Sequence, residues 1–279
     1  MRCNLIFGIV GLGLMGGSFA KAIKKYNIAN KIIGYDLSQI HQKEALKLGL
    51  VDEICSIEML KVCDVVILTI PVDAIISFLP NLLGCNKDTT IIDFGSTKRL
   101  IVQNIPKELK QNYIPAHPMT GTEKFGPSAA IDNLYENKTM VLCDIEKCDS
   151  THKNKAIDIF SKIKMNLTFM DSSEHDIHAS YISHLPHVLS FSLANTVMSH
   201  EDPKNIISLA AGGFKDMSRI AKSSPNMWTD VFRQNKDNLL NSIGSYEEQL
   251  SLIKSMIEDD KYDEVFSLIQ KANTLHNIL

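Results

Sequence analysis

No run of apolar residues in this 279-residue chain approaches the length of a membrane span, so a helix that crosses a bilayer is not expected. Excess basic charge is missing too: 29 Lys and Arg stand against 32 Asp and Glu, a net charge of -3, and the basic residues are scattered rather than blocked. That leaves no electrostatic footprint for nucleic acid or another polyanion. The six cysteines form no C-x-x-C pair, and a chain of this size does not need disulfides to supplement a small core, so reduced thiols in a cytoplasmic protein are expected. Internal repeats and low-complexity segments are also lacking, and Trp228 is the one tryptophan. At the N-terminus, Arg2, the following apolar run and Ser18-Phe19-Ala20 superficially mimic a signal peptide, but five glycines between Gly8 and Gly17 argue against it.

What is present is an alternation. Near-continuous apolar runs at 5–10, 31–35, 65–70, 90–94, 113–116, 139–143 and 167–170 read as strands buried on both faces, with helical patterns between them at 40–48, 72–83, 97–105 and 154–163. This order predicts an α/β doubly wound sheet with ligands at the carboxyl ends of its strands. After Met170 the strand-like runs largely stop, and Asp171-Ser172-Ser173-Glu174 reads as a helix start. The expected organisation is a dinucleotide-binding domain at 1–170 followed by an all-helical domain at 171–279. The first helix of that second domain is expected over 173–198, kinked or loosened at Pro186. A helical region so rich in apolar positions is expected to bury its remaining surface against a second copy, as a homodimer.

The nucleotide reading rests on GLGLMG, whose glycines are Gly11, Gly13 and Gly16, and on Asp36, which stands twenty positions after Gly16 at the end of the second strand. A strand, a tight glycine turn, a helix N-terminus facing a pyrophosphate and an acid beside the ribose require this spacing, which marks a Rossmann-type domain. The expected cofactor site comprises the three glycines with Leu14, Met15 and Asp36, together with Ile70 and Pro71 at the end of the third long strand. Asp36 favours NAD over NADP, because a carboxylate accepts bonds from ribose hydroxyls and repels a 2′-phosphate; Lys43 and Ser38 nearby weigh the other way. Three further segments fall where a substrate would meet the nicotinamide: DFGSTK from Asp93, HPMTGTEKFGP from His117, and SHLPH from Ser183.

With GLGLMGGS and with GGFKDMSRIAKSSPNMW over 212–228, these segments make the chain resemble the prephenate dehydrogenase family, including its arogenate and cyclohexadienyl variants. HPMTGTEKFG together with SHLPH is far more specific than the glycine motif, which many activities share. The resemblance covers nearly the whole catalytic unit, and it implies a stand-alone dehydrogenase without the fused chorismate mutase region or the ACT-type regulatory domain of some relatives. The implied reaction is NAD-dependent oxidative decarboxylation of prephenate to 4-hydroxyphenylpyruvate, a step of tyrosine biosynthesis.

On that resemblance His117 is the base, since a neutral imidazole suits acceptance of the hydroxyl proton at pH 7. Ser96 links substrate, His117 and the nicotinamide end, or caps the helix that follows. Prephenate is a dianion, so Arg219 is expected to receive a carboxylate, with Lys215 four residues earlier on the same helical face. His187 is expected to bond substrate or orient the site, while His184 is expected only to pack. Thr122 and Glu123 are candidate gate or supporting polar groups, and Trp228 a packing anchor. His175, His178, His184 and His187 resemble a metal cluster by spacing, but hydride transfer needs no metal and Pro186 disturbs the register, so none is expected. Competing readings are an arogenate dehydrogenase, a β-hydroxyacid-type dehydrogenase and a non-catalytic NAD(H) sensor; the second generally carries a catalytic lysine on its helical domain.

Overall fold

A computed structural model of the chain describes residues 5–200 and 202–277. It divides into two compact units, Met1–Asn235 and Lys236–Leu279. The first unit is built on eight strands: β1 (Ile6–Val10), β2 (Lys31–Tyr35), β3 (Glu53–Ile54), β4 (Val65–Leu68), β5 (Thr90–Asp93), β6 (Tyr113–Pro118), β7 (Thr139–Cys143) and β8 (Asn166–Met170). They form one sheet in the order β3-β2-β1-β4-β5-β6-β7-β8. Neighbours are parallel from β3 through β6, β7 runs antiparallel to β6, and β8 is parallel to β7. The order reverses between β1 and β4, and ligands of doubly wound sheets bind outside the carboxyl ends of the strands at such a point.

Helices α1 (Leu14–Lys25), α2 (Gln39–Lys47), α3 (Ile57–Leu60), α4 (Val72–Phe78), α5 (Arg99–Gln103) and α6 (Ser150–Lys162) connect the strands. Beyond β8 the regular elements among the described residues are helical: α7 (Ser172–Ala179), α8 (Leu185–Met198), α9 (Pro203–Ser208), α10 (Gly212–Ser218) and α11 (Pro225–Gln234) in the first unit, α12 (Lys236–Glu258) and α13 (Tyr262–Asn273) in the second.

Period-two alternation sends successive strand residues to opposite faces of the sheet. Phe7, Ile9, Ile32 and Ile67 join Phe19 of α1 and Phe160 of α6 in one core cluster. Val10, Ile33, Val66 and Leu68 join Ile75 of α4 and Trp228 and Val231 of α11 in the other. Each such side chain taken fully from water contributes about 1.5–3 kcal/mol, so both faces of the sheet must be covered, and α11 covers part of the second.

Two local features depart from the sequence reading. The short edge strand β3 pairs through only Ile33–Glu53 and Gly34–Ile54, too few residues for an alternation to register. The helix expected over 173–198 with a kink or loosened turn at Pro186 is α7, a wide turn of i→i+5 type at Ser180–His184, and α8, so the disturbance lies ahead of the proline. Pro186 donates no hydrogen bond and its ring crowds the carbonyl four residues back, at Ile182, so the helix widens over that stretch.

Candidate active site

The glycine turn is shaped by close backbone approach. Gly11 adopts φ +93°, a left-handed conformation that disfavours a side chain. A Cβ on Gly16 would lie 2.0 Å from the Gly11 carbonyl oxygen, so only glycine lets α1 start this close to β1. Gly13 stands at the N-cap of α1 without a capping side chain, and no acid occupies the first turn, which leaves the helix amides and the positive end of the dipole for an anion. Asp36 reaches back from the end of β2: its carboxylate accepts the Leu12 amide at 2.8 Å and the Ser38 amide at 2.8 Å, with His41 Nδ1 at 3.5 Å. Thr69, which sequence reasoning passed over, donates its hydroxyl to Gly11 O at 2.7 Å and ties the end of β4 to the turn. Ile70 and Pro71 follow it directly and lead into α4. Leu14 is buried and Met15 half-buried against the first core cluster, while the Met15 carbonyl accepts the Tyr135 hydroxyl. These features fit a bound dinucleotide.

The carboxyl ends of β5 and β6 carry the second group. Lys98 is fully buried; its ammonium pairs with Asp93 of β5 and donates to the Ala116 carbonyl of β6 at 2.6 Å, next to His117. His117 is half-buried, and its Nδ1 lies 2.8 Å from Nε2 of His175 on α7. His175 Nδ1 in turn lies 2.8 Å from Oδ1 of Asp176. Burial, then the neighbouring His175, Lys98 and His184, pushes the His117 imidazole well below its ordinary range, so it is uncharged at neutral pH. Ser96 is half-buried on the loop between Asp93 and Lys98, and it does not cap α5, whose cap position is Lys98.

A third group comes from the wide turn, α8 and α11. Asn235 Nδ2 donates to the Asp176 carbonyl at 2.6 Å and meets His184 Nδ1 at 3.1 Å. His184 is buried, and loss of solvent pushes it down to about 4. It therefore does more than pack, because its ring is bonded into the chain of contacts that leads to His117. Trp228 lies edge-on to His184 at 6.0 Å and stacks on His187 at 3.5 Å, so it is a packing residue that also fixes both rings. His187 is lowered by burial and by the positive charge of Arg219. A series of neighbours thus runs from His117 through His175, Asp176, Asn235, His184 and Trp228 to His187, and the charge of Arg219 acts on His187 electrostatically. Arg219 and Lys215 are exposed on or beside α10. Thr122 and Glu123 are exposed on the loop after β6, where Thr122 accepts the Lys124 amide at 3.2 Å. That loop returns at Gly126, whose amide nitrogen would be 3.8 Å from a Cβ on Gly13.

Sequence reasoning missed Lys98, Asp176 and Asn235. Lys98 lay inside DFGSTK, a segment read as substrate-facing as a whole, with no signal in the sequence for its pairing with Asp93. Asp176 was hidden among the histidines of one helix, and the two amides its carboxylate accepts, those of Lys98 and Arg99, lie more than seventy residues away in sequence.

Residues 19–169 match the family described as "Prephenate dehydrogenase, nucleotide-binding domain". Residues 171–271 match "Prephenate dehydrogenase, dimerization domain". The chain is 34% identical over 271 residues to a prephenate dehydrogenase of Bacillus subtilis (strain 168), covering 95% of this chain and 73% of that one. It is 30% identical over 273 residues to a cyclohexadienyl dehydrogenase of Zymomonas mobilis, covering 95% and 93%. The crystal structure of prephenate dehydrogenase from A. aeolicus in complex with hydroxyphenyl propionate and NAD+ superposes with a TM-score of 0.91 at 32% identity, covering 98% of this chain and 97% of that one. A nucleotide-binding sheet, an uncharged imidazole at its carboxyl edge and these matches along nearly the whole sequence lead to one statement: this chain belongs to the prephenate dehydrogenase family.

Proposed function

We propose that the chain catalyses the NAD-dependent oxidative decarboxylation of prephenate to 4-hydroxyphenylpyruvate. The observation that carries this reading is His117, an imidazole kept uncharged by burial, on β6, which runs parallel to β5, β4 and β1 and so ends on the same side of the sheet as the glycine turn and Ile70. NAD+, when bound on that turn, supplies the hydride acceptor. His117 takes the proton of the ring hydroxyl as hydride leaves the carbinol carbon, which becomes a carbonyl. The bond to the ring carboxylate then breaks, its electron pair enters the ring, carbon dioxide departs, and the resulting phenolate oxygen recovers a proton from His117. General acid–base catalysis of this kind is worth on the order of 10²- to 10⁴-fold.

Arg219, just after α10, holds a substrate carboxylate, with Lys215 of α10 adding positive charge four residues earlier. His187, fixed by its stack on Trp228, bonds the substrate from the helical side, and Ser96 bridges substrate and His117 from the β5 loop. Thr122 and Glu123 guard the entrance on the loop after β6. Asp36 selects NAD, because its carboxylate would face a 2′-phosphate with like charge. The working unit is a homodimer: α8 carries apolar residues on every side, interspersed with Ser190, Ser192, Asn195 and Thr196, and Ile182, Leu209 and Met217 are 66%, 84% and 56% exposed. The segment after Met170 forms the domain that carries this contact.

The test is the ratio of kcat/KM for prephenate and arogenate, each with NAD+ and NADP+, followed by NADH or NADPH absorbance. The prephenate–NAD+ pair is expected to be the most efficient. A higher kcat/KM for arogenate would overturn the substrate, and an NADP+ efficiency equal to that of NAD+ would overturn the role of Asp36.

A further inference from the structure

The contacts of Asp176 determine where hydrogens lie as far away as His117. Asp176 is fully buried. Its Oδ1 accepts the Lys98 amide at 2.7 Å and its Oδ2 accepts the Arg99 amide at 3.0 Å, so the carboxylate closes the N-terminus of α5 from another element. The same Oδ1 lies 2.8 Å from His175 Nδ1, and a carboxylate oxygen there accepts, so His175 Nδ1 carries the hydrogen. Where Nδ1 carries the one ring hydrogen of His175, the other nitrogen is bare. It faces His117 Nδ1 at 2.8 Å, a contact that needs one hydrogen, and that hydrogen sits on His117 Nδ1. His117 is left with its lone pair on Nε2.

We propose that Asp176 and His175 are positioning residues that hold His117 in the Nδ1–H tautomer and so make Nε2 the atom that accepts the substrate proton. This inference rests on the reading of His117 as the base. When Nε2 takes that proton, both nitrogens of His117 carry hydrogens and the new positive charge is shared along Nδ1–H to His175 and on to the Asp176 carboxylate; no other bond changes. The arrangement is that of a base oriented by a third group through hydrogen bonds, with a second imidazole inserted between them. The charged and titratable groups facing His117 are His175 of α7, Lys98 before α5 and His184 of the wide turn; Lys98 is itself paired with Asp93. Of these, His175 is the one hydrogen-bonded to the His117 ring. The pairing spans 58 positions of sequence, and the widened helix after α7 follows directly on the segment that presents His175.

The experiment has two arms. Long-range ¹⁵N–¹H correlation on the whole protein labelled at histidine nitrogen, at neutral pH, is expected to show His117 protonated at Nδ1 and bare at Nε2; the opposite tautomer overturns the proposal. The second arm is kinetic. His175→Asn places a donor where Nδ1 stood and keeps the bond to Asp176 while removing the partner of His117, whereas His175→Gln places an amide oxygen where Nε2 stood. With prephenate and NAD+, the Asn variant is expected to lose about 10²-fold in kcat with KM for both ligands within about twofold, and the Gln variant to recover to within about tenfold of wild type. Equal losses in both variants, or an Asn variant with wild-type kcat, overturn it. If His117→Asn keeps its turnover, the base reading itself has failed, and the tautomer measured in the first arm, which needs no activity, still decides the relay.

Discussion

His184 allows a stability prediction that can be worked through from its surroundings. In the folded chain the ring is buried and pushed from 6.5 down to about 4, whereas in the unfolded chain it titrates normally. A depressed folded-state value means that the unfolded chain binds the proton first. Stability is therefore unaffected above about pH 7.5 and is lost as pH falls through 6.5 towards 4. Linkage puts the loss from this one group at about 2 kcal/mol by pH 5 and about 3 kcal/mol by pH 4, a large part of a typical folding free energy. Other histidines contribute to the raw acid sensitivity, so the informative quantity is the difference between wild type and His184→Asn, which places an amide acceptor for Asn235 where Nδ1 stood but does not titrate. Urea unfolding can be followed by the fluorescence of Trp228, the one tryptophan, which is buried beside His184. On acidification from about pH 7.5 to about pH 4.5, wild type is expected to lose about 2–3 kcal/mol more than the variant. A gap that stays constant across that range would refute the reasoning.

Other perturbations probe the remaining parts. Lys98→Met leaves the buried Asp93 carboxylate without its cation and is expected to destabilise the chain by about 3–5 kcal/mol, with Lys98→Met/Asp93→Asn recovering part of the loss in denaturant titrations. Gly16→Ala forces a Cβ against the Gly11 carbonyl, at an expected cost of about 1–3 kcal/mol together with weaker NAD+ binding by calorimetry. Arg219→Ala is expected chiefly to raise KM for prephenate rather than to lower kcat. Light scattering at micromolar concentration is expected to give twice the chain mass, 31.2 kDa.

What the sequence made legible was local. The strand at 31–35, the glycine turn and Asp36 lie within one β-α-β unit, and spacing alone specifies their geometry. The candidate site was legible as three segments, since each sits just beyond a strand or on a helix start. Their mutual contacts were not, because His117 and His175 come together only when α7 packs against the edge of the sheet, across 58 positions. The antiparallel run of β7 was likewise hidden, for an apolar run carries no direction. Proline at 186 did signal a disturbed helix, but the disturbance lies over Ser180–His184, ahead of it, because the crowding falls on the carbonyls of the preceding turn. Lys98 and Asp93 stood in a segment read as substrate-facing, but a string of residues does not show their pairing, which the fold buries beside the strand that carries His117.

The central claim is that an uncharged His117 accepts a proton while hydride leaves the substrate. The most direct measurement is the steady-state rate of NADH formation from prephenate and NAD+ by His117→Asn, with NAD+ affinity measured alongside to show an intact fold. The account expects kcat to fall by at least about 10²-fold with NAD+ binding unchanged. Wild-type turnover in that variant would contradict it.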